Sequence, residues 1–386
     1  MKKICIVTTV SSSLQAFVVG PARFLAGHGY DVTLCCARDE AFAASLPEEL
    51  HYHGISIARG MTSPFGLMAT IRELAAFFVQ ERFDLVQYST PNAAFCAAIA
   101  ARLAKVPVRL YFQWGMVYTG FAGPRRRIFK GVEKITCALS TDVQPDGPRN
   151  LEFALAEKLY PADKGRVVGA GSSCGVDLGR FDLQKKEAWR RKIRETYGIE
   201  GFVYGFMGRI NRDKGINELL AAFESLASRH SDVYLLLVGP KENLEGIDKR
   251  RLQWAMQSEQ VVFCGMQRAP EEFYAAMDAL VLPSYREGFA TAPLEAKAME
   301  VPVIVTDIPG LADAVEEGST GLMVPPRHAA ALCAAMERLY LDRALCRRLA
   351  QRGRQQVEEL FDSRVLYRQI LENRDWLLAR SRGEGA

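Results

Sequence analysis

The chain has 386 residues, 49% of them apolar, with 49 Lys+Arg against 45 Asp+Glu. That length suits two domains of roughly 100–200 residues each, and the apolar share provides full-sized cores, so nothing reads as disordered before the tail at 380–386. No apolar run reaches the ~18 residues of a membrane span, and nine scattered cysteines without a Cys-x-x-Cys argue for buried thiols in a reducing cytoplasm, not for disulfides or zinc.

In chain order, Lys2-Lys3 and the apolar run 4–10 read as an opening strand. The run is short for a signal peptide, and Ser11-Ser12-Ser13 follows without a convincing cleavage site. Further strands are expected at 31–37, 55–58, 85–89, 108–113, 141–143 and 166–169. A second series follows at 202–207, 233–238, 261–263, 279–282, 303–306 and 322–324. Helical stretches such as 216–226 lie between them, and this alternation argues for the α/β class with two Rossmann-like parallel-sheet halves. His51 and His53 sit two apart, a spacing that fits one face of a strand, and no carboxylate cluster supports a metal there. Gly169-Ala170-Gly171-Ser172-Ser173-Cys174-Gly175 mimics a dinucleotide fingerprint. Its spacing is G-x-G-x3-G, however, and 176–181 does not read as a helix, so the phosphate argument fails and the stretch reads as a hinge within 171–182. The expected divisions are 1–172, 173–362, and a last helix with its tail at 363–386. That helix carries Val365, Leu366, Ile370, Leu371, Trp376 and Leu378.

Residues 1–172 hold 19 Lys+Arg against 14 Asp+Glu, and the remainder holds 30 against 31. The excess is concentrated in Gly120-Phe121-Ala122-Gly123-Pro124-Arg125-Arg126-Arg127-Ile128-Phe129-Lys130, where aromatics interleave with four cations. Such a segment can rest on anionic headgroups, at about 1 kcal/mol per basic residue near the surface. It can equally hold a polyprenyl diphosphate, or be a plain solvated helix start. No nucleic-acid-binding fold accompanies it, so nucleic acid is not an expected partner.

Two motifs in the second half carry chemistry. The strand 202–207 runs into Gly208-Arg209-Ile210-Asn211-Arg212-Asp213-Lys214-Gly215, and ligands of open α/β sheets bind at the carboxyl ends of strands. Arg209, a planar fork, and Lys214, a compact point charge, are placed to hold a diphosphate whose charge grows as it departs. The bland alternative is a solvated strand–helix loop. The second motif is Ser284-Tyr285-Arg286-Glu287-Gly288-Phe289-Ala290-Thr291-Ala292-Pro293-Leu294-Glu295. Glu287 falls in a loop and Glu295 in a first helical turn marked by Pro293. A helical path between them would put the carboxylates roughly 12 Å apart, wider than the ~5–9.5 Å of a glycosidase pair. The N–H groups of Phe289, Ala290 and Thr291 between them suit an anion. Two surface acids favoured by the helix dipole would give the same pattern.

Together these motifs resemble the family 4 glycosyltransferases of GT-B fold. The resemblance rests on Gly208-Arg209-x4-Lys214-Gly215, Val238-Gly239-Pro240, and Pro283-Ser284-x2-Glu287-Gly288-Phe289 with Glu295. Pro302-Val303-Ile304 with Gly310, and Thr320-Gly321-Leu322, extend it. It covers nearly the whole chain and is strong from about Gly171 onward. Gly171-Ser172-Ser173-Cys174-Gly175-Val176-Asp177 and Ser284–Phe289 point to the capsule, O-antigen and lipid-linked-oligosaccharide branch. The resemblance implies two Rossmann-like domains facing across a cleft, with 1–172 binding the acceptor and 173–362 the nucleotide sugar. It also implies that the last helix crosses back onto the first domain. Gly208, Arg209, Lys214 and 288–291 would hold the donor diphosphate, Glu287 the sugar hydroxyls and Glu295 the ribose, with Glu287, Arg209 and Lys214 as the catalytic set. It implies a UDP-sugar donor, a hexose or N-acetylhexosamine, a glycan or polyprenyl-diphosphate-linked acceptor, and retention of anomeric configuration. The chain lacks Asp-x-Asp, so neither a metal nor any other cofactor is expected. The expected place is the cytoplasm, with peripheral lodging on the inner face of the cell membrane.

Two departures bear on this reading. Where many relatives carry a glycine-rich loop after the first strand, this chain has Thr8-Thr9-Val10-Ser11-Ser12-Ser13. Where many carry a His before a glycine, it has Trp114 before Gly115. Trp can stack on a sugar ring but cannot accept a proton. A nucleotide-sugar epimerase of the same architecture, or a non-catalytic partner subunit, are the alternatives. The Arg209/Lys214 and Glu287/Glu295 sets favour transfer.

Overall fold

β1 (Lys2–Val7) divides its side chains between two layers. Ile4 and Ile6 enter one core and Cys5 and Val7 the other, as the period-two geometry of a strand requires. The computed structural model describes residues 1–383 except 59, 61 and 62. The other strands of the first sheet are β2 (Tyr30–Ala37), β3 (Leu50–Ile55), β4 (Leu85–Tyr88), β5 (Val108–Gln113) and β6 (Asp142–Pro145). All pair in parallel, in the order β3-β2-β1-β4-β5-β6. The helices Pro64–Glu81 and Pro91–Leu103 cover the Cys5/Val7 face through Leu74, Phe78, Ala94, Ala97 and Ala101.

The Ile4/Ile6 face is covered by Leu14, Ala22 and Leu25 from two early helices and by Leu366, Ile370, Leu377 and Leu378 from the last helix, Ser363–Ser381. Burial of each Leu or Ile contributes roughly 1.5–3 kcal/mol, so the last helix is part of the core of the first sheet. Arg374 on the same helical face is also fully buried. It donates to Gln144 Oε1 on β6 at 2.7 Å and to Gln87 Oε1 on β4 at 2.8 Å. Trp376 is 40% exposed and lies against the guanidinium groups of Arg166 and Arg380.

The second sheet contains β7 (Phe202–Met207), β8 (Val233–Val238), β9 (Val261–Gly265), β10 (Ala279–Leu282), β11 (Val303–Thr306) and β12 (Gly321–Val324). It is also wholly parallel, in the order β12-β11-β10-β7-β8-β9. Strands buried on both faces read as continuous apolar runs, as in Val-Tyr-Leu-Leu-Leu-Val of β8. In each sheet the strand order reverses at one place, between β1 and β4 and between β7 and β10. The carboxyl ends at such a reversal are where ligands of this architecture bind.

Two expected strands differ. The third lies at Leu50–Ile55, not 55–58. It is an edge strand paired only with β2, and its exposed His51 and half-buried His53 hide the apolar alternation. Residues 166–169 form no strand; a bridge joins Val143 to Gly165, extended by Arg166 N–H to Val143 O at 3.0 Å. The chain divides into two compact units, Met1–Cys174 with the segment from Arg364 onward, and Gly175–Ser363. The two ends of the second unit run side by side, with Val176 N–H donating to Phe361 O at 2.8 Å and Ser363 N–H to Val176 O at 2.9 Å. Eight of the nine cysteines are buried and none forms a disulfide. Among the described residues no helix is long and apolar enough to cross a membrane.

Candidate active site

The two loops that leave β7 and β10 are pressed together by backbone geometry. After β7, the turn Arg212–Lys214 is capped by Asn211, whose Oδ1 accepts from Lys214 N–H at 3.2 Å. Gly215 then adopts φ +70°, and a Cβ there would lie 2.0 Å from Pro283 O at the end of β10. Only glycine permits that approach. Tyr285 N–H donates to Asp213 O at 2.8 Å, Arg286 places two nitrogens on Asp213 Oδ2 at 3.0 and 2.7 Å, and Tyr285 donates its hydroxyl to Glu218 at 2.5 Å.

This stitching brings Lys214 and Glu287 into contact. Lys214 Nζ lies 2.5 Å from Glu287 Oε1, and Ser284 Oγ donates to the same oxygen at 2.7 Å. The side chains are 17% and 12% exposed, so the pair is largely shielded from water. Arg209, one residue past Gly208 at the exit of β7, takes a different partner, Glu242 Oε2 at 2.7 Å, and is 55% exposed.

Gly288 passes against Gly310, which has φ +85°. A Cβ on Gly310 would sit 1.5 Å from Gly288 O. Phe289 turns inward, its ring 5.6 Å from that of Phe361. Ala290 and Thr291 are half-buried, and Thr291 occupies the N-cap of the helix Ala292–Ala298 without a side-chain cap. Glu295 lies in the first turn of that helix and accepts from the Tyr274 hydroxyl at 2.8 Å. Burial pushes its carboxyl above the ordinary range, while Tyr274 and Arg180 act in the opposite direction.

Reading the sequence missed Ser284, Tyr274 and the Arg286–Asp213 clasp. Ser284 lies only three residues before Glu287, close enough in one loop for their side chains to meet. Tyr274 comes from the helix Pro270–Ala276 and Asp213 from the turn after β7, and neither leaves a signal local to its partner.

The N-terminal candidates lie in the first unit. Trp114 follows β5 and is half-buried edge-on against Phe17 and Phe112, with an indole N–H that finds no acceptor among the described residues. Arg125, Arg126 and Arg127 open the helix Gly123–Leu139. Arg126 pairs with Glu157 at 3.0 Å and lies over Tyr118, whereas Arg125 and Arg127 are exposed. The loop expected over 8–13 is shorter, because a helix begins at Ser11. Its hydroxyls bond internally, Thr9 to Thr90 at 2.8 Å and Ser11 to Asp39 at 2.6 Å. Among the described residues no cluster of His, Cys, Asp and Glu is arranged to hold a metal.

Two family descriptions match the chain, glycosyl transferases group 1 over residues 189–356 and glycosyl transferase 4-like over residues 3–144. The chain belongs to the family 4-like glycosyltransferases. This glycosyltransferase is 29% identical over 386 residues to the capsular polysaccharide biosynthesis glycosyltransferase CapM of Staphylococcus aureus, covering 99% of each chain. Its fold matches sucrose-phosphate synthase of Thermosynechococcus elongatus with a TM-score of 0.79 at 21% identity, covering 98% of this chain and 100% of that one. It matches Anabaena HepE, solved with UDP and glucose, with a TM-score of 0.80 at 19% identity over 97% and 100% of the two chains. The expected GT-B fold is therefore the fold of this glycosyltransferase.

Proposed function

We propose that the enzyme moves a hexose or N-acetylhexosamine unit from a UDP-sugar to a saccharide acceptor carried on a polyprenyl diphosphate, with retention, in the assembly of a bacterial surface polysaccharide. The carrying observation is the Lys214–Glu287 pair at the ends of β7 and β10. Without donor, the two charges neutralise each other in a site largely shielded from water. Donor entry exchanges both partners at once: the diphosphate takes the ammonium, and a sugar hydroxyl donates to the released carboxylate. Neither charge is left bare, an exchange that avoids the penalty of an unpaired buried ion. Arg209, solvated and flexible, swings from Glu242 to the same diphosphate, and Gly208 with the 288–291 backbone lines its path. These cations stabilise the leaving UDP as the glycosidic bond breaks, so the reaction proceeds without a metal. Glu295 receives the ribose.

Similarity to CapM over the full length supports the polysaccharide context, and the HepE complex makes UDP the first nucleotide to test. Peripheral lodging on the inner membrane face rests on exposed Arg125 and Arg127 beside Ile128, which is 64% exposed. The experiment is transfer from a panel of UDP-sugars to lipid-linked acceptors, with and without EDTA, for wild type and Lys214→Ala. Transfer that survives EDTA and is lost in the variant supports the reading. Near-wild-type transfer by Lys214→Ala removes the diphosphate clamp, and sugar isomerisation without acceptor removes transfer itself.

A further inference from the structure

Lys297 lies two residues past Glu295 on the helix Ala292–Ala298, and its side chain is fully buried. Its ammonium donates to Ala314 O at 2.5 Å and to Gln356 Oε1, and lies 5.9 Å from the ring centre of Phe361. Its stem packs against Gly353, where an added Cβ would meet Lys297 Cγ at 2.8 Å. Both hydrogen-bond partners are neutral oxygens, and Glu316, which accepts from Gln356 at 3.1 Å, acts on the ammonium through its charge and not through a direct hydrogen bond. A charge so placed is costly to bury, and an apolar side chain of similar volume would serve the fold as well or better. What the ammonium adds is direction.

Two of the segments it touches, and the helix that carries it, shape the donor loop from behind. The segment holding Ala314 also holds Gly310, whose α-carbon closes on Gly288 O. Phe361 packs against Phe289. The helix of Lys297 itself presents Glu295. Gly288, Phe289 and Glu295 are thus each backed by an element in contact with one side chain, across separations of 17 and 59 residues to its hydrogen-bond partners. We infer that Lys297 is a positioning residue of the donor site, holding the 287–291 loop and the Glu295 turn in binding geometry from inside the second unit. This rests on the reading that the loop binds the nucleotide sugar.

Calorimetric titration with UDP tests it on wild type, Lys297→Met, Glu295→Gln and the double variant, with thermal melting of each. Lys297→Met is expected to melt no lower than wild type and to bind UDP about tenfold more weakly, since small misplacements in a preorganised site cost that much or more. The double variant is expected to bind no more weakly than about the weaker single variant, because both changes act through one turn. Unchanged affinity in Lys297→Met, or losses that multiply in the double variant, overturns the positioning role. If Lys297→Met does not fold, Gln356→Met decides: a similar loss supports the inference and unchanged affinity overturns it. Wild-type protein that binds no UDP overturns the donor reading itself, a different result from a wild type that binds and a variant that binds equally well.

Discussion

Lys214 and Glu287 are 73 positions apart in the chain, yet their charged atoms sit 2.5 Å apart, and Ser284 donates to the same Glu287 oxygen. Lys214→Ala strands a shielded carboxylate, so we expect a loss of about 1–3 kcal/mol of stability. Transfer should fall by about 100-fold or more, as for loss of a group that stabilises transition-state charge. Adding Glu287→Ala should recover part of the stability and none of the activity. Urea unfolding and a transfer assay on both variants check this, and a double variant no more stable than the single contradicts it.

Arg209 should behave differently. Its pair with Glu242 is half in solvent, and exposed pairs contribute at most about 1 kcal/mol. We therefore expect Arg209→Ala to melt like wild type while binding UDP about tenfold more weakly, in line with loss of one charge-assisted contact. Calorimetry and thermal melting on the same samples test it, and a large drop in melting temperature would assign Arg209 to the fold.

Two buried groups set opposite pH signatures. Burial raises the Glu295 carboxyl, so between its unfolded and folded values the native state holds more protons, and stability falls as pH rises. Glu295→Gln should be more stable than wild type at neutral pH, with the difference vanishing in acid. Burial lowers Lys297 to about 7, so between there and the ordinary ammonium value the unfolded chain holds the extra proton. Wild type should gain stability as pH rises above about 7, by up to about 1.4 kcal/mol per unit, and Lys297→Met should show no such gain. Denaturant titrations at several pH values measure both slopes.

The membrane proposal makes a narrow prediction. Arg126 is engaged with Glu157, so the exposed pair Arg125 and Arg127 should carry the headgroup contact. Changing both to Glu should cut co-sedimentation with anionic liposomes by about 10-fold or more, from roughly 1 kcal/mol per charge near the surface. Transfer to a soluble acceptor should be unaltered. Equal sedimentation of variant and wild type would end the proposal.

How much was legible varied with burial. β7, β8, β10 and β11 were readable to the residue because interior strands of a parallel sheet are apolar on both faces. β3 was misplaced because an edge strand tolerates His51 and His53. In the last helix Leu366, Ile370, Arg374 and Leu378 recur every four residues on one face, which leaves Trp376 outside. Hydrophobicity alone would bury the tryptophan, but the register buries the arginine, whose guanidinium finds amide oxygens on β4 and β6. Lys214 and Glu287 were visible as motif members. Their contact was not, nor was Lys297, because nothing local to Ala-Lys297-Ala marks a side chain bonded to partners 17 and 59 residues away.

The helix Ser363–Ser381 belongs to the core of the first unit, while Gly175–Ser363 forms a unit of its own between the two parts of that core. A ribosome extrudes the chain from its amino end, and domains generally fold as units during synthesis. The first part of the chain to emerge must therefore wait, with its Ile4/Ile6 face lacking Leu366, Ile370, Leu377 and Leu378, until the whole intervening unit has been made. The part made second can finish first, and the half-covered sheet that waits for its last helix is the species a chaperone would meet.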